Sequence, residues 1–194
     1  RGCVGIVIWP GYKHLLWLIV FFLFILEGAL IPWLLPPWTG NMGLAVVPHL
    51  SFICILYIAI YLNRHMAVAM GLVFGILHDI IFYGLILGTY AFGMGITAYL
   101  IGLMLRDSHV TWYMGIGSII FGLLLFDVLV YGLYLLFQIA DEAPMRIFLY
   151  NTLPSLLFNL CIALIMYWPV LKGFSRIEKY VASSQSENYP TGNP

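Results

Sequence analysis

Most of this chain consists of apolar runs of about 17 to 26 residues separated by short polar or proline-rich turns, and a helix needs about 20 such residues to cross a bilayer. A chain built this way reads as an all-α polytopic membrane protein. Composition agrees, because 63% of its 194 residues are hydrophobic and only 8% are charged, where a soluble domain has roughly half and about a quarter. Too little polar surface exists to cover a globule in water, so lipid has to be the solvent.

The spacing predicts about six spans. The first runs from Leu15 to about Ile31 and is closed by Pro32, Pro36, Pro37 and Gly40, residues that remove backbone donors or permit turns. The second runs from about Val46 to Leu62 and stops at Asn63-Arg64-His65, and the third continues from Met66 to about Tyr83. After an uncharged loop at Gly84 to Gly88, a fourth reaches Leu105 and ends at Arg106-Asp107-Ser108-His109. The fifth covers Trp112 to Phe137, and the sixth, after a loop from Gln138 to Arg146, covers about Phe148 to Leu171. Residues 1–14 are thus an N-terminal extension, 15–174 a compact six-helix membrane domain, and 175–194 a polar tail expected to be disordered. The first span lacks a small-residue cleavage site and is expected to stay as an anchor.

Orientation follows from Lys and Arg, which short cytoplasmic loops retain. Arg1, Lys13, Arg64, Arg106, Lys172, Arg176 and Lys179 fall on one side of a six-span arrangement and only Arg146 on the other. Both termini are therefore expected in the cytoplasm. Trp17, Trp33, Trp38, Trp112 and Trp168 fall near the span ends, where an amphipathic ring is favoured.

Ionisable groups at membrane depth each call for an explanation. Glu27 is open to two readings, a solvated rim reached by snorkelling or a structural hydrogen bond. His78 and Asp79 are neighbours on one helix and point roughly 100° apart. Asp79 closes a stripe with Ala67, Gly71 and Gly75 at every fourth position, and small residues so spaced let a second helix approach. A carboxylate at the end of that groove is placed to accept hydrogen bonds from a neighbouring helix or from a partner. Asp127 begins a similar row with Tyr131 and Tyr134, Gly95, Ala98 and Gly102 form a small-residue face in span four, and Asn159 lies about one turn beyond Pro154.

Catalytic constellations are missing. The sequence has no HExxH, no P-loop, and no G-x-S-x-G around Ser118. Asp79 follows His78 rather than the glycine of a G-x-G-D motif, which argues against an intramembrane aspartyl dyad with Asp127. The five histidines lie scattered without ligand spacing, so neither a metal nor any other cofactor is expected. Cys3, Cys54 and Cys161 lack CxxC spacing and are expected to be reduced, the last two packed within apolar runs. Net charge is zero with no basic stripe, which excludes a nucleic-acid partner.

The run from Tyr61 to Asp79, with Asn63-Arg64 at its turn and Gly71, Gly75 and Asp79 along its helix, is followed by Leu87-Gly88-Thr89-Tyr90 and Ala98-Tyr99-Leu100. This order resembles the central signature of the rod shape-determining MreD family. Leu153-Pro154 with Asn159, Tyr167, Pro169 and Lys172 resembles that family's last helix, and Asp127 stands where the family has an acidic residue shortly before Tyr131-Gly132. The resemblance covers about Leu15 to Phe174. It implies a non-catalytic, multi-pass protein of the bacterial inner membrane that works in cell elongation and peptidoglycan synthesis beside MreC and other elongation proteins. On that reading Gly71, Gly75, Asp79, Gly88, Asp127, Tyr131 and Asn159 serve helix packing or partner contact. The alternative is the substrate-binding S component of an energy-coupling-factor vitamin transporter, whose architecture the family is thought to share. The A-x-x-x-A coupling face usual in the first helix of such components is missing from Leu15 to Ile31.

Overall fold

The computed structural model describes residues 10–34, 46–82, 86–106, 110–139 and 143–188. They form an all-helical bundle of α1 (Pro10–Leu34), α2 (Leu50–Tyr61), α3 (Arg64–Ile81), α4 (Thr89–Met104), α5 (Trp112–Leu136) and α6 (Leu153–Asn188). A helical turn at Pro144–Ile147 and a π-helical stretch at Phe148–Thr152 lead into α6. The wider turn precedes Pro154, which has no N–H to give the carbonyl one turn back. Three helical stretches, Arg64–Ile81, Trp112–Leu136 and Pro144–Val170, are long and apolar enough to cross a membrane among the residues described.

The expected boundaries shift at three places. Helix α1 opens at Pro10, a residue suited to the first helical position, so part of the expected extension is helical, and it runs on through Pro32 to Leu34. Helix α6 continues to Asn188, and the polar tail expected to be disordered is helical to that point. Between Gly173 and the Pro190 that follows, it contains Glu, Lys, Ala and Gln and no helix breaker. The remaining parts of the loop from Pro32 to Gly43, of the loops around Gly84, Asp107 and Asp141, and of the tail beyond Asn188 lie outside the described residues.

The second span changes most. Its helix has only 12 residues, about 18 Å of rise, because Val46–His49 are not helical. Every residue from Leu50 to Ile60 is buried, and α2 touches each of the other five helices. A helix apolar all round belongs in a core, and α2 is the axis on which the others pack. On one side Phe52, Ile53 and Tyr57 meet Met94 and Ile101 of α4, Ile119 and Phe126 of α5 and Ala163 of α6. On the other, Cys54, Ile55 and Ile58 meet Leu16, Val20 and Phe24 of α1 and Ala67, Met70 and Phe74 of α3. The Tyr57 hydroxyl donates to the Ala163 carbonyl at 2.7 Å, which satisfies the one polar atom of a wholly buried ring.

Outside this core much of the described surface is apolar. Leu18, Phe22, Trp112, Val128, Ile165 and Trp168 are exposed, as a lipid-facing surface requires. Cys54 is buried as expected, but Cys161 is exposed, on the outer side of α6. In a bundle solvated by lipid an apolar context does not imply an inner position.

Candidate functional site

The polar residues expected at membrane depth gather at one end of the bundle, where α1 and α3 end and α2 and α4 begin. On α3, Ala67, Gly71, Gly75 and Asp79 are all buried and form the seam with α4. A Cβ on Gly71 would stand 3.1 Å from the Met94 carbonyl, whereas one on Gly75 would collide with the Ala91 backbone and lie 2.8 Å from the Tyr90 carbonyl carbon. On the facing helix, Gly95 takes the Leu72 side chain, and Gly102 lies against Arg64 and the Ala59 carbonyl. The absence of side chains is what allows these two backbones to approach.

Asp79 completes the seam. Its Oδ2 accepts from the Gly88 N–H at 2.8 Å and more weakly from Ala91 N–H at 3.5 Å, and Oδ1 accepts from Tyr90 N–H at 3.2 Å. The carboxylate of one helix thus caps the N-terminus of the next, where N–H groups are unpaired and the helix dipole favours negative charge. Gly88 is the N-cap residue, at φ 99°, and has open space around a would-be Cβ. Its glycine is required by backbone conformation and not by crowding.

Asn159 and Ser155 hold the non-helical strand before α2. The Val47 N–H donates to Ser155 Oγ at 2.9 Å, the His49 N–H donates to Asn159 Oδ1 at 2.9 Å, and Asn159 Nδ2 donates to the Val47 carbonyl at 3.0 Å. Backbone groups that a helix would have satisfied internally are satisfied here by side chains of α6. This clasp fixes His49.

Beside it lies a cluster that the sequence spacing does not reveal. Glu27, His49 and His78 are 5%, 4% and 6% exposed, and one ligand atom from each lies within 4.8 Å of the others. Glu27 Oε2 accepts from the Ser51 hydroxyl at 2.8 Å and from the Ser51 N–H at 3.1 Å. Of the two readings open for Glu27, the structure shows the buried, hydrogen-bonded one. Its other oxygen, Oε1, faces His49 Nδ1 at 3.7 Å and His78 Nε2 at 3.5 Å. The expectation of scattered histidines is corrected at this point, since the fold joins two of them that lie on different elements. His78 stacks on Tyr90 at 4.4 Å between ring centroids, and His49 meets Phe126 edge-on at 5.2 Å. Asp127 and Tyr131 are half-buried on α5, with Asp127 in electrostatic reach of His49 and Tyr90.

One signal for Glu27 was present. Leu16, Val20, Phe24 and Glu27 recur at helical spacing, and all four are buried. The outer face of α1, with Leu15, Leu18, Phe21 and Phe22, is equally apolar, so no polarity contrast marks which stripe faces inward.

The family model described as rod shape-determining protein MreD matches residues 12–177, most of the chain. This chain belongs to the MreD family. The match takes in the α3–α4 seam, the Asp79 cap, the clasp and the Glu27 cluster together. MreD membership implies a role in determining rod shape and, with the apolar helices, association with the membrane. Searches of curated proteins and of solved structures return no match.

Proposed function

We propose that this MreD-family chain is a non-catalytic, multi-pass component of the bacterial inner membrane that supports cell elongation and peptidoglycan synthesis by binding MreC and other elongation proteins. The proposal includes six spans in an arrangement like that of transporter S components, with both termini in the cytoplasm. The observation that carries it is the family match over residues 12–177. The chemistry of the bundle supports it. Asp79 and Asn159 bind helix ends and backbone within the chain, which makes them fittings of a scaffold. Partner contact through the α3–α4 seam, Asp127 and Tyr131 belongs to the same proposal.

Two measurements test it. Depletion in a rod-shaped host with no second copy should give round or widened cells, and affinity purification from native membranes should recover MreC with a peptidoglycan synthase. Unchanged shape, with recovery of an ATPase module and loss of vitamin uptake, would instead favour the S-component alternative.

A further inference from the structure

We propose that Glu27, His49 and His78 form a binding site for a divalent first-row transition-metal ion of the zinc type. The distances are the first reason. At 3.5 and 3.7 Å, the separations of Glu27 Oε1 from His78 Nε2 and His49 Nδ1 exceed the usual N–H···O range. Two ligand atoms on one tetrahedral metal, each about 2.0–2.1 Å from it, stand about 3.3–3.4 Å apart. Both carboxylate–imidazole separations lie closer to such a polyhedron edge than to a hydrogen-bond length, and the three ligand atoms all fall within 4.8 Å of one another.

The second reason is polar accounting. Glu27 Oε1 and His49 Nδ1 are buried with no hydrogen-bond partner among the described residues, a state that native interiors avoid. The two atoms stand 3.7 Å apart. An ion between them satisfies both and offsets the charge of a carboxylate at membrane depth.

The surrounding shell is the third. Ser51 occupies Oε2 with two hydrogen bonds and so turns Oε1 toward the histidines, the kind of outer contact that orients metal ligands. The His78 ring lies between Tyr90 and Phe82, each 4.4 Å away, and His49 is held by Phe126 and, through its backbone, by Asn159. Two imidazoles and one carboxylate suit zinc and its neighbours better than calcium or magnesium, which prefer all-oxygen sites. Three protein ligands leave one coordination position open. The ion would join the end of α1, the start of α2 and the end of α3.

The test uses the full chain in detergent or nanodiscs, stripped with a chelator, desalted and reloaded with zinc or cobalt(II). The expected result is one equivalent of metal retained through desalting, and a cobalt form with the intense visible absorption of tetrahedral coordination. Glu27→Gln, His49→Gln and His78→Gln should each abolish that absorption, while His65→Gln, at an exposed position outside the cluster, should keep it. Ser51→Ala, which leaves all three ligands in place, should weaken metal affinity by about tenfold. Wild-type protein that retains no metal, or binds cobalt only in an octahedral form that the three substitutions do not alter, would overturn the proposal and make the cluster an ion pair. The wild-type spectrum decides the matter even if a substituted protein fails to fold.

Discussion

Glycines that look equivalent in the sequence do different work. Gly71 and Gly75 share one stripe, but a Cβ on Gly71 would only press on the Met94 carbonyl at 3.1 Å, while one on Gly75 would overlap the Ala91 backbone. Backbone cannot rotate aside as a side chain can. Gly75→Ala should therefore destabilise by about 1–3 kcal/mol or more, as overpacking does, and Gly71→Ala clearly less. Asp79→Asn retains one acceptor oxygen but turns an NH2 group toward helix N–H donors, so it should cost about 1 kcal/mol, the usual worth of a cap. Gly75→Leu should exceed all of these. Thermal unfolding in one detergent gives the order, and Asp79→Asn ranking above Gly75→Leu would show that the carboxylate carries a charge-dependent role beyond packing. The stripe itself is legible in the sequence because its period matches the helix. What Asp79 binds is not, since the N-terminus of α4 returns to it only after the chain reverses, and no local pattern records that.

At the scale of elements, α2 is where sequence and structure part. An apolar run from Val46 to Leu62 reads as one span, yet its first four residues are non-helical and the helix is 12 residues long. The unwinding is stable because Ser155 and Asn159 replace the missing helical bonds. These partners lie more than a hundred positions away in the chain, 108 for Val47 and Ser155 and 110 for His49 and Asn159. Hydropathy has no means of showing such a contact. Asn159→Ala should leave the His49 N–H and Val47 carbonyl without these bonds, which costs about 1–3 kcal/mol for each buried group left unpaired. The local readout is sharper than the global one. Amide exchange at His49 should accelerate strongly while amides in the middle of α2 change only with overall stability, and uniform acceleration would mean that the clasp is not an independent element.

Across the whole molecule, helix direction sorts charge from buried polarity. Lys13 and Arg64 stand near the starts of α1 and α3, and Arg106 follows the end of α4, so these bases share one end of the bundle. Glu27, His49, His78, the Asp79 cap and the start of α6 share the other, where Arg146 precedes α6. The six-span expectation with cytoplasmic termini is a proposal about which of these ends faces which compartment. Because basic loops are retained in the cytoplasm, the end with Lys13, Arg64 and Arg106 should face inward and the cluster should lie toward the outer leaflet. Single cysteines at Met145 and His65, both exposed residues at opposite ends, would test this in a background without Cys3, Cys54 and Cys161. A membrane-impermeant thiol reagent added to intact cells should label the cysteine at position 145 and should reach position 65 only after the cells are permeabilised. The reverse pattern would place the basic end outside and the Glu27 cluster on the cytoplasmic side. Labelling of both positions in intact cells would mean an even number of crossings between them, and the six-span arrangement, which has three, would fall.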